Sequence, residues 1–377
     1  MNIDEPLQLL GGLTPKAFMR RHWHKKPMVI RQAIPGFTPP LDRTALFELA
    51  AQEEVQSRLV VQASADGTQN WRFRQGPFAR KALPPLKQAG WTLLVQGADL
   101  LDDRVHALMN QFRFVPDARL DDVMISYATD GGGVGPHFDS YDVFLLQAHG
   151  RRRWRIGRQK DLSLQPDMPL KLLAHFEPEM EFVLDPGDML YLPPRYAHDG
   201  IAVGECMTYS IGFRSPGRGE LAGELLQRLA EDAQDTVGSA LYRDPSQAAV
   251  QACGEIPDAV VDFASQALAD ALRDPMAIRR VLGEYFTEPK GHVCFEAGLS
   301  EKLDGALTLD RRTRMMYDMH HVFVNGESFL ASGRDALLMW RLADQRKLGA
   351  SDVKRLSQAA SSLVEDWCAA GWMHVGN

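Results

Sequence analysis

A histidine and an aspartate lie two positions apart in the segment GGGVGPHFDSYDVFLLQAHGRRRWRIG, residues 131–157. Along a β-strand, residues i and i+2 point to the same face, so a strand here would project His137 and Asp139 together. Tyr141 and Val143 would follow on that side. An imidazole nitrogen beside a carboxylate oxygen supplies two of the three protein donors in the facial triad that holds Fe(II) in non-heme oxygenases. Such a site needs one more histidine.

The candidate for the third donor is His198, in the segment DPGDMLYLPPRYAHDG. A tight turn at Pro186–Gly187 is expected to begin a strand, and Pro193–Pro194 to end it just before this histidine. In a jelly roll, strands that are distant in sequence face each other across the interior, so a shared site with Asp139 is possible. The alternatives are a hydrogen-bonded polar pair at a strand end and an ordinary histidine in a turn after proline.

The same alternation sorts the arginine cluster in RRRWRIG. Arg152 shares a face with Trp154 and Ile156, whereas the arginines on either side of it lie on the other face. If the Trp–Ile face is the interior, Arg152 is carried inside, where a guanidinium needs an anionic partner. A dicarboxylate co-substrate such as 2-oxoglutarate would supply one, and a protein Asp or Glu is the alternative.

The elements that must position these residues are short β-like runs between about residues 58 and 215. Gly, Pro and Asp separate the runs SRLVVQA, NWRFRQG, WTLLVQG, DVMISYA, YDVFLLQA, RWRIG, MEFVL, DMLYLP and MTYSIGF. This spacing is typical of a β-sandwich or jelly roll and not of alternating βαβ units. We therefore expect a β-rich domain around the candidate site.

A helix and a strand are predicted near the start of the chain, in TPKAFMRRHWHKKPMVI. Thr14 is placed to cap the helix, with Pro15 at its first position, and a strand is expected at Met28–Ile30. The stretch also contains His22 and His24, on either side of a tryptophan and next to two lysines. We interpret these two histidines as surface or packing residues.

After RSPGRGE the pattern changes to helical spacing of apolar residues, as in LAGELLQRLAEDA and PDAVVDFASQALADALRD. This predicts a domain boundary and an all-helical segment to about residue 287. Its apolar stripes exceed what a two- or three-helix unit buries alone, which predicts a homodimer, with packing on the β-rich part as the alternative. The remainder contains a hairpin signal at Asn325–Gly326 and two helix patterns, a mixture that fits a small winged-helix-like domain.

Composition places the chain among ordinary globular proteins. Its 377 residues suffice for two or three domains, 45% are hydrophobic and 24% charged. No stretch approaches the roughly 18–20 apolar residues that span a bilayer, and the polar start MNIDEPLQLL lacks a secretory signal, so a cytoplasmic location without membrane contact is expected. The four cysteines show no C-x-x-C spacing. A net charge of -7 argues against strong, direct nucleic-acid binding and favours a basic protein partner.

Both histidine segments, taken with their flanks, resemble a known family. GGGVGPHFDSYDVFLLQAHGRRRWRIG, PGDMLYLPPRYAHDG and MTYSIGFRSP, with RHWHKKPMVI near the start, resemble the JmjC-type cupin ribosomal oxygenases. Within that family the resemblance is greatest to the bacterial arginine hydroxylases of large-subunit (50S) ribosomal protein number sixteen. It covers the β-rich half strongly and the helical and C-terminal parts more weakly.

The resemblance implies an α+β fold in three parts. A double-stranded β-helix (cupin or jelly-roll, JmjC-type) domain with an N-terminal extension would occupy residues 1–216. A helical dimerisation segment over 217–287 and a winged-helix-like domain over 288–377 would follow. Every member of the candidate site falls in the first part.

The resemblance also implies a role for the candidate site residues. His137, Asp139 and His198 would bind Fe(II), and Arg152 would anchor 2-oxoglutarate, which is consumed together with O2. Arg152 is thus reached both by strand alternation and by the resemblance.

The implied reaction is hydroxylation of the β-carbon of an arginine side chain in a basic ribosomal protein. A slot for arginine needs an acceptor for the guanidinium and an aromatic wall for its planar face. Ser126, on the strand DVMISYA, and Tyr141, on the face of the ligands, are the candidates for these substrate contacts. Plain packing roles are the alternative for both.

Three further questions stay open at this point. The alternative targets are a histidine and a methylated side chain that the same fold would demethylate. A hypothesis from another class is a non-catalytic metal-binding cupin that acts in ribosome assembly. The glycine run at 131–133 fits either a flexible turn or the close approach of a peptide substrate.

Overall fold

The computed structural model divides the chain into two compact units, Met1–Ser215 and Pro216–Asn377. It describes residues 2–65, 68–231, 233–273, 275–298 and 303–376. Within those ranges no helix is both long enough and apolar enough to cross a bilayer. The finer division of the second unit at residue 287 stays a prediction.

The first unit combines short helices with long strands. Its α-helices are α1 (Pro15–Arg21), α2 (Arg43–Leu49) and α3 (Asp103–Asn110). Its strands are β1 (Met28–Ile30), β2 (Ser57–Ala65), β3 (Thr68–Gln75), β4 (Trp91–Val95), β5 (Leu120–Ala128), β6 (Val143–Gly157), β7 (Met180–Leu184), β8 (Met189–Leu192) and β9 (Ala197–Phe213).

These strands form one antiparallel sheet in the order β1-β8-β6-β9-β5-β4-β2-β3, with β7 also paired to β6. Neighbours in the sheet are far apart in sequence, as the jelly-roll interpretation requires. The runs YDVFLLQA and RWRIG, expected as separate strands, form the single strand β6. Gly150 allows this continuity, because it has a φ of +61° and a Cβ there would lie 2.0 Å from the Glu205 carbonyl oxygen.

Strand β6 separates the main core from a second apolar surface. Phe144 and Leu146 are fully buried in the large core cluster that includes residues of all three helices. Val143 and Leu145 alternate with them and belong to a different cluster, together with Trp154. One face of the strand therefore holds the domain together, and the other is left to line a cavity.

The helix and strand predicted near the start of the chain are confirmed. The Thr14 hydroxyl accepts a hydrogen bond from the Ala17 amide at 3.0 Å, which caps α1. Strand β1 covers Met28–Ile30 as predicted and pairs with β8, so that Met28 lies opposite Tyr191. This pairing ties the N-terminal segment to the sheet.

The second unit contains helices and short strands. Its elements are α4 (Arg218–Glu231), α5 (Ala233–Val237), α6 (Asp258–Ala271), α7 (Pro275–Thr287), β10 (Ala306–Leu309), β11 (Met315–Tyr317), β12 (His321–Val324), β13 (Glu327–Leu330), α8 (Gly333–Gln345), β14 (Lys347–Leu348), α9 (Ala350–Val353), α10 (Gln358–Ala369) and β15 (Met373–Gly376). The expected hairpin forms between β12 and β13, with positive φ at Asn325 and Gly326.

The expectation of an all-helical segment is wrong in one place. Residues 238–257 form no helix, between the end of α5 and the start of α6. Two prolines and two glycines occur in this stretch, and each disfavours a helix interior. The helices on either side of it follow the predicted apolar spacing.

Candidate active site

His137 and Asp139 do not lie in a regular strand, so the predicted strand start is wrong. Strand β6 begins only at Val143, and His137 makes an isolated bridge to His198. Pro136 has no N–H to donate to a ladder, and the Asp139 carbonyl accepts from the Arg195 amide at 2.7 Å. The segment is extended at the histidine and irregular beyond it, yet both side chains still point to one site.

His198 is the second residue of β9, so the alternative that placed it in an ordinary turn after proline is wrong. Its amide donates to the His137 carbonyl at 2.8 Å and its carbonyl accepts from the His137 amide at 3.0 Å. This reciprocal pair sets the two backbones side by side, with the imidazole centroids 4.2 Å apart. A two-residue β-bridge is therefore what brings the distant histidine to the His-x-Asp segment.

The three predicted donors form a compact cluster. One ligand atom from each of His137, Asp139 and His198 lies within 4.8 Å of the others, and no other group of three or more such residues occurs in the described part of the chain. His198 Nε2 is 3.7 Å from Asp139 Oδ2. Two imidazoles and one carboxylate at this separation match the donor set of a facial triad.

Hydrogen bonds to the backbone set the tautomer of both imidazoles. His137 Nδ1 lies 2.9 Å from the Gly135 carbonyl oxygen, and His198 Nδ1 lies 3.1 Å from that of Tyr196. Because a carbonyl can only accept, each Nδ1 carries the proton and each Nε2 keeps its lone pair for a metal. Complete burial, reinforced by His137, lowers the pKa of His198 to about 4. The ring is therefore neutral at pH 7, as a ligand must be.

The glycine run packs against the protein's own backbone. A Cβ at Gly133 would lie 2.6 Å from the Gly200 carbonyl oxygen, and one at Gly132 would lie 2.5 Å from that of Trp91. Both distances are shorter than side-chain contacts allow, so these positions need glycine for the loop to close on β9 and β4. The close approach that requires glycine at these positions is therefore made by neighbouring strands of the same protein.

Arg152 lies inside, as strand alternation predicted. It is 5% exposed and shares the buried face of β6 with Trp154 and Ile156. Its Cζ atom lies 5.7 Å from the centroid of the Trp154 ring, and within the described residues its Nε and Nη2 atoms have no hydrogen-bond partner. A buried guanidinium with unpaired donors is costly unless an anion joins it.

All six residues singled out from the sequence line one cavity of about 270 Å³. They are Ser126, His137, Asp139, Tyr141, Arg152 and His198. This volume is close to the lower end of the roughly 300–1,000 Å³ typical of small-molecule sites. The cavity thus joins the metal-ligand cluster and the unpaired arginine in a single space.

Ser126 and Tyr141 occupy different parts of the cavity wall. Ser126 is buried on β5, where its hydroxyl lies 3.4 Å from the Thr208 carbonyl oxygen. Tyr141 is 38% exposed, so it lies where the cavity meets the solvent. Desolvation, reinforced by nearby Asp139, raises the pKa of the Tyr141 hydroxyl, which stays protonated at neutral pH.

Two acidic residues that the sequence interpretation missed line the same cavity. Asp121 and Asp122 precede Ser126 on β5, and the register of this strand shifts between Leu120 and Val123. Such a bulge breaks simple alternation, which allows consecutive side chains to reach one side. Strand alternation could have identified Asp122, because it lies four residues before Ser126 and shares its face on a regular strand.

Comparison with protein families identifies two modules. Residues 107–221 match the JmjC domain, and residues 267–374 match the ROXA-like winged helix. The chain is 36% identical over 274 residues to the ribosomal protein uL16 3-hydroxylase of Escherichia coli, covering 72% of this chain and 71% of that protein. It is 31% identical over 335 residues to a probable ribosomal oxygenase of Haemophilus influenzae, covering 84% and 82%.

The fold agrees with these similarities in sequence. The structure of YcfD, a ribosomal oxygenase from Escherichia coli, in complex with cobalt and 2-oxoglutarate superposes with a TM-score of 0.78 at 28% identity. The match covers 97% of this chain and 99% of that one, so it includes both the cupin fold and the winged helix. The chain belongs to the JmjC-type ribosomal oxygenase family.

Proposed function

We propose that this protein is an Fe(II)- and 2-oxoglutarate-dependent oxygenase that hydroxylates the β-carbon of an arginine in a large-subunit ribosomal protein, uL16. The observation that carries the proposal is the cavity in which a His-Asp-His cluster and a buried, unpaired guanidinium meet. The related hydroxylase of uL16 and the related structure with cobalt and 2-oxoglutarate support it. A ribosomal-protein substrate also fits the cytoplasmic location expected from the sequence.

The residues present fit both the metal and the co-substrate. His137, Asp139 and His198 would hold Fe(II) through two neutral imidazoles and a carboxylate, which leaves positions open for other ligands. Arg152 would bind the distal carboxylate of 2-oxoglutarate, since its unpaired Nε and Nη2 atoms form one edge of the guanidinium. The buried cation and the dianionic co-substrate would each remove the other's desolvation penalty.

When bound, iron with 2-oxoglutarate and O2 supplies the oxidising power that replaces a C–H bond by C–OH while 2-oxoglutarate is converted to succinate and carbon dioxide. The chain itself excludes water and orients the reactants. Val143, Leu145 and Trp154 give the cavity an apolar wall next to the ligands. The backbone hydrogen bonds to both Nδ1 atoms prevent rotation of the imidazoles.

The outer part of the cavity suits an arginine side chain. Tyr141 offers an aromatic face for a planar guanidinium, and Ser126 offers a hydroxyl acceptor deeper in the wall. Asp121 and Asp122 add negative charge on the same strand as Ser126. A cationic side chain from a basic ribosomal protein would therefore be attracted and aligned.

Peptides from ribosomal protein uL16 that contain the target arginine should gain one oxygen atom when incubated with the enzyme, iron and 2-oxoglutarate. Mass spectrometry measures the gain. An Arg→Lys peptide should react poorly, because an ammonium lacks the planar fork that can lie on Tyr141 and bond two acceptors. A histidine-containing ribosomal peptide serves as the control for target choice.

The results test the arginine assignment and the enzymatic activity separately. Oxidation of the histidine peptide with the arginine peptide unchanged would keep the oxygenase and remove the arginine assignment. Metal binding without succinate formation would contradict the enzyme and favour a metal-binding cupin. Comparing intact masses of ribosomal proteins from cells with and without the gene then identifies the physiological target.

We also propose the three-part organisation 1–216, 217–287 and 288–377, with residues 217–287 forming a homodimer. Helix α6 supports this, because Val261 and Leu268, which lie seven residues apart on one face of the helix, are each about half exposed, and Leu272 at its end is 39% exposed on the same face. A soluble protein rarely leaves such a stripe uncovered. A second copy of the same segment is the proposed cover.

Light scattering should give twice the chain mass of 42.1 kDa at micromolar concentration. Leu268→Glu is expected to halve that mass, because it places a charge within the apolar stripe of α6. Leu330→Glu is the control, since this residue is exposed and lies outside residues 217–287. A wild-type particle of a single chain mass across this range would contradict the dimer.

A further inference from the structure

A buried carboxylate stands three residues after the candidate ligand Asp139. The side chain of Asp142 is 0% exposed and accepts from the Tyr191 hydroxyl at 2.5 Å. His24 Nε2 lies 2.9 Å from its other oxygen, and Arg119 Nη2 lies 3.6 Å from that oxygen. A carboxylate without solvent needs such donors, and here each comes from a different part of the first unit.

His24 contributes from its backbone as well as from its ring. Its amide lies 3.0 Å from the Tyr191 hydroxyl oxygen and 3.3 Å from Asp142 Oδ1. The residue has a φ of +56°, a left-handed conformation that is uncommon outside glycine. That conformation aims the amide and the ring at the same carboxylate, and the hydrogen bonds of the amide offset the backbone strain.

Arg119 connects His24 and Asp142 to strands β5 and β9. Its guanidinium lies over the Trp23 ring, with Cζ 5.6 Å from the centroid, and donates to the Arg214 carbonyl just after β9. Arg119 itself directly precedes β5, the strand that carries Asp121, Asp122 and Ser126. The His24–Asp142–Arg119 network therefore joins the N-terminal segment to β5, β8 and β9.

The part of the chain with the greatest need for such support is the segment 138–142. It lies between the His137 bridge and the first residue of β6, and no strand ladder covers it. Two backbone hydrogen bonds tie it to neighbours, from the Arg195 amide to the Asp139 carbonyl and from the Phe213 amide to the Asp142 carbonyl. Asp139 and Tyr141 both project from this segment into the cavity.

We propose that His24 is a positioning residue for the active site, which fixes the segment 138–142 through Asp142 and so sets the placement of Asp139 for the metal and of Tyr141 for the substrate. The inference rests on the proposed function for the metal at Asp139. His24 Nε2 contacts both charged partners, Asp142 Oδ2 at 2.9 Å and Arg119 Nη2 at 3.1 Å.

The test measures Co²⁺ affinity of the metal-free protein by calorimetry, alongside thermal unfolding. His24→Gly removes the ring and relieves the left-handed backbone, so folding is retained while the ring's contact with Asp142 is lost. We expect about tenfold weaker Co²⁺ binding, the lower end of what loss of an outer-shell partner costs, and a higher KM for the peptide. His24→Gln supplies an amide donor and should restore the affinity to within about threefold of wild type.

His22→Gly is the matched control, because this residue is two positions earlier, stacks on Phe18 and lies outside the network. It should lower the melting temperature without changing Co²⁺ affinity. Wild-type affinity in His24→Gly, equal losses in both glycine variants, or no rescue by glutamine would each overturn the inference. Should His24→Gly not fold, His24→Asn replaces it, since asparagine tolerates positive φ and is too short to reach Asp142.

Failure of the inference differs from failure of the proposed function. A wild-type protein that forms succinate, with His24→Gly unchanged in Co²⁺ affinity, removes the positioning role alone. A wild-type protein that binds Co²⁺ but forms no succinate removes the oxygenase, while the affinities of the variants still decide the positioning role.

Discussion

Replacing His137 or His198 with alanine is expected to abolish 2-oxoglutarate turnover and to weaken divalent-metal binding, while the protein stays folded. Each histidine supplies one of three protein donors, and two remaining donors cannot hold iron in a facial arrangement. The fold persists because the large core cluster contains neither residue. Succinate formation, Co²⁺ titration and circular dichroism measure the three effects separately.

The His198 variant carries an additional expectation. This ring is fully buried and neutral, so its removal leaves a space beside His137 and Trp154 without leaving a buried charge. Its melting temperature should therefore fall more than that of the His137 variant. His149→Ala is the control, because His149 is an exposed histidine on β6. Wild-type turnover in either site variant would show that the cluster is not the metal site.

Arg152→Ala is expected to raise the concentration of 2-oxoglutarate needed for half-maximal turnover by roughly ten- to a hundredfold. A hydrogen bond to a charged group contributes about 1.5–3 kcal/mol. Among the described residues, Nε and Nη2 of the guanidinium have no protein partner, so they are available to make such bonds to the co-substrate. Initial rates of succinate formation at varied 2-oxoglutarate give this constant. Arg152→Lys should lie between alanine and wild type, since it keeps the charge and loses the fork.

The neighbouring arginines are built-in controls. Arg151 is exposed, and Arg153 lies 4.0 Å from Glu181 on the opposite face of β6. Alanine at either position should change the 2-oxoglutarate requirement by less than about threefold, because exposed ion pairs contribute little. A larger effect at Arg151 or Arg153 than at Arg152 would show that the co-substrate enters from the other face.

The placement of Arg152 relative to His198 depends on one strand pair, β6 and β9. Arg152 lies opposite Ala202, and Ile156 lies opposite His198, in the pairing of β6 with β9. The relative position of Arg152 and His198 is therefore set by the register of a single ladder. A sequence pattern gives the period of each strand, but the register appears only when the strands are paired.

Several features could be predicted because they depend on local chemistry alone. The Thr14 cap with Pro15, the turn at Asn325–Gly326 and the buried face of RRRWRIG each follow from a few neighbouring residues, and each is confirmed. A proline cannot donate, a glycine accepts positive φ, and alternate residues of a strand face opposite ways wherever the strand lies. Tertiary contacts do not change these constraints.

Other features were decided by contacts between distant segments. His198 lies in a strand because its backbone pairs with Ile156 of β6, and the bridge to His137 then brings the two histidines together. His137 lies outside β6, where a proline precedes it and the Arg195 amide donates to the Asp139 carbonyl. Asp121 and Asp122 reach the cavity through a bulge in the pairing of β5 with β9. His24, which resembled a surface residue in sequence, became the partner of a carboxylate that is buried only once β1, β6 and β8 assemble. The candidate metal donors and Arg152 were thus selected from residue type and period. Their distances, the acidic residues of the cavity wall and the His24–Asp142–Arg119 network depend on which backbones meet, which no local pattern encodes.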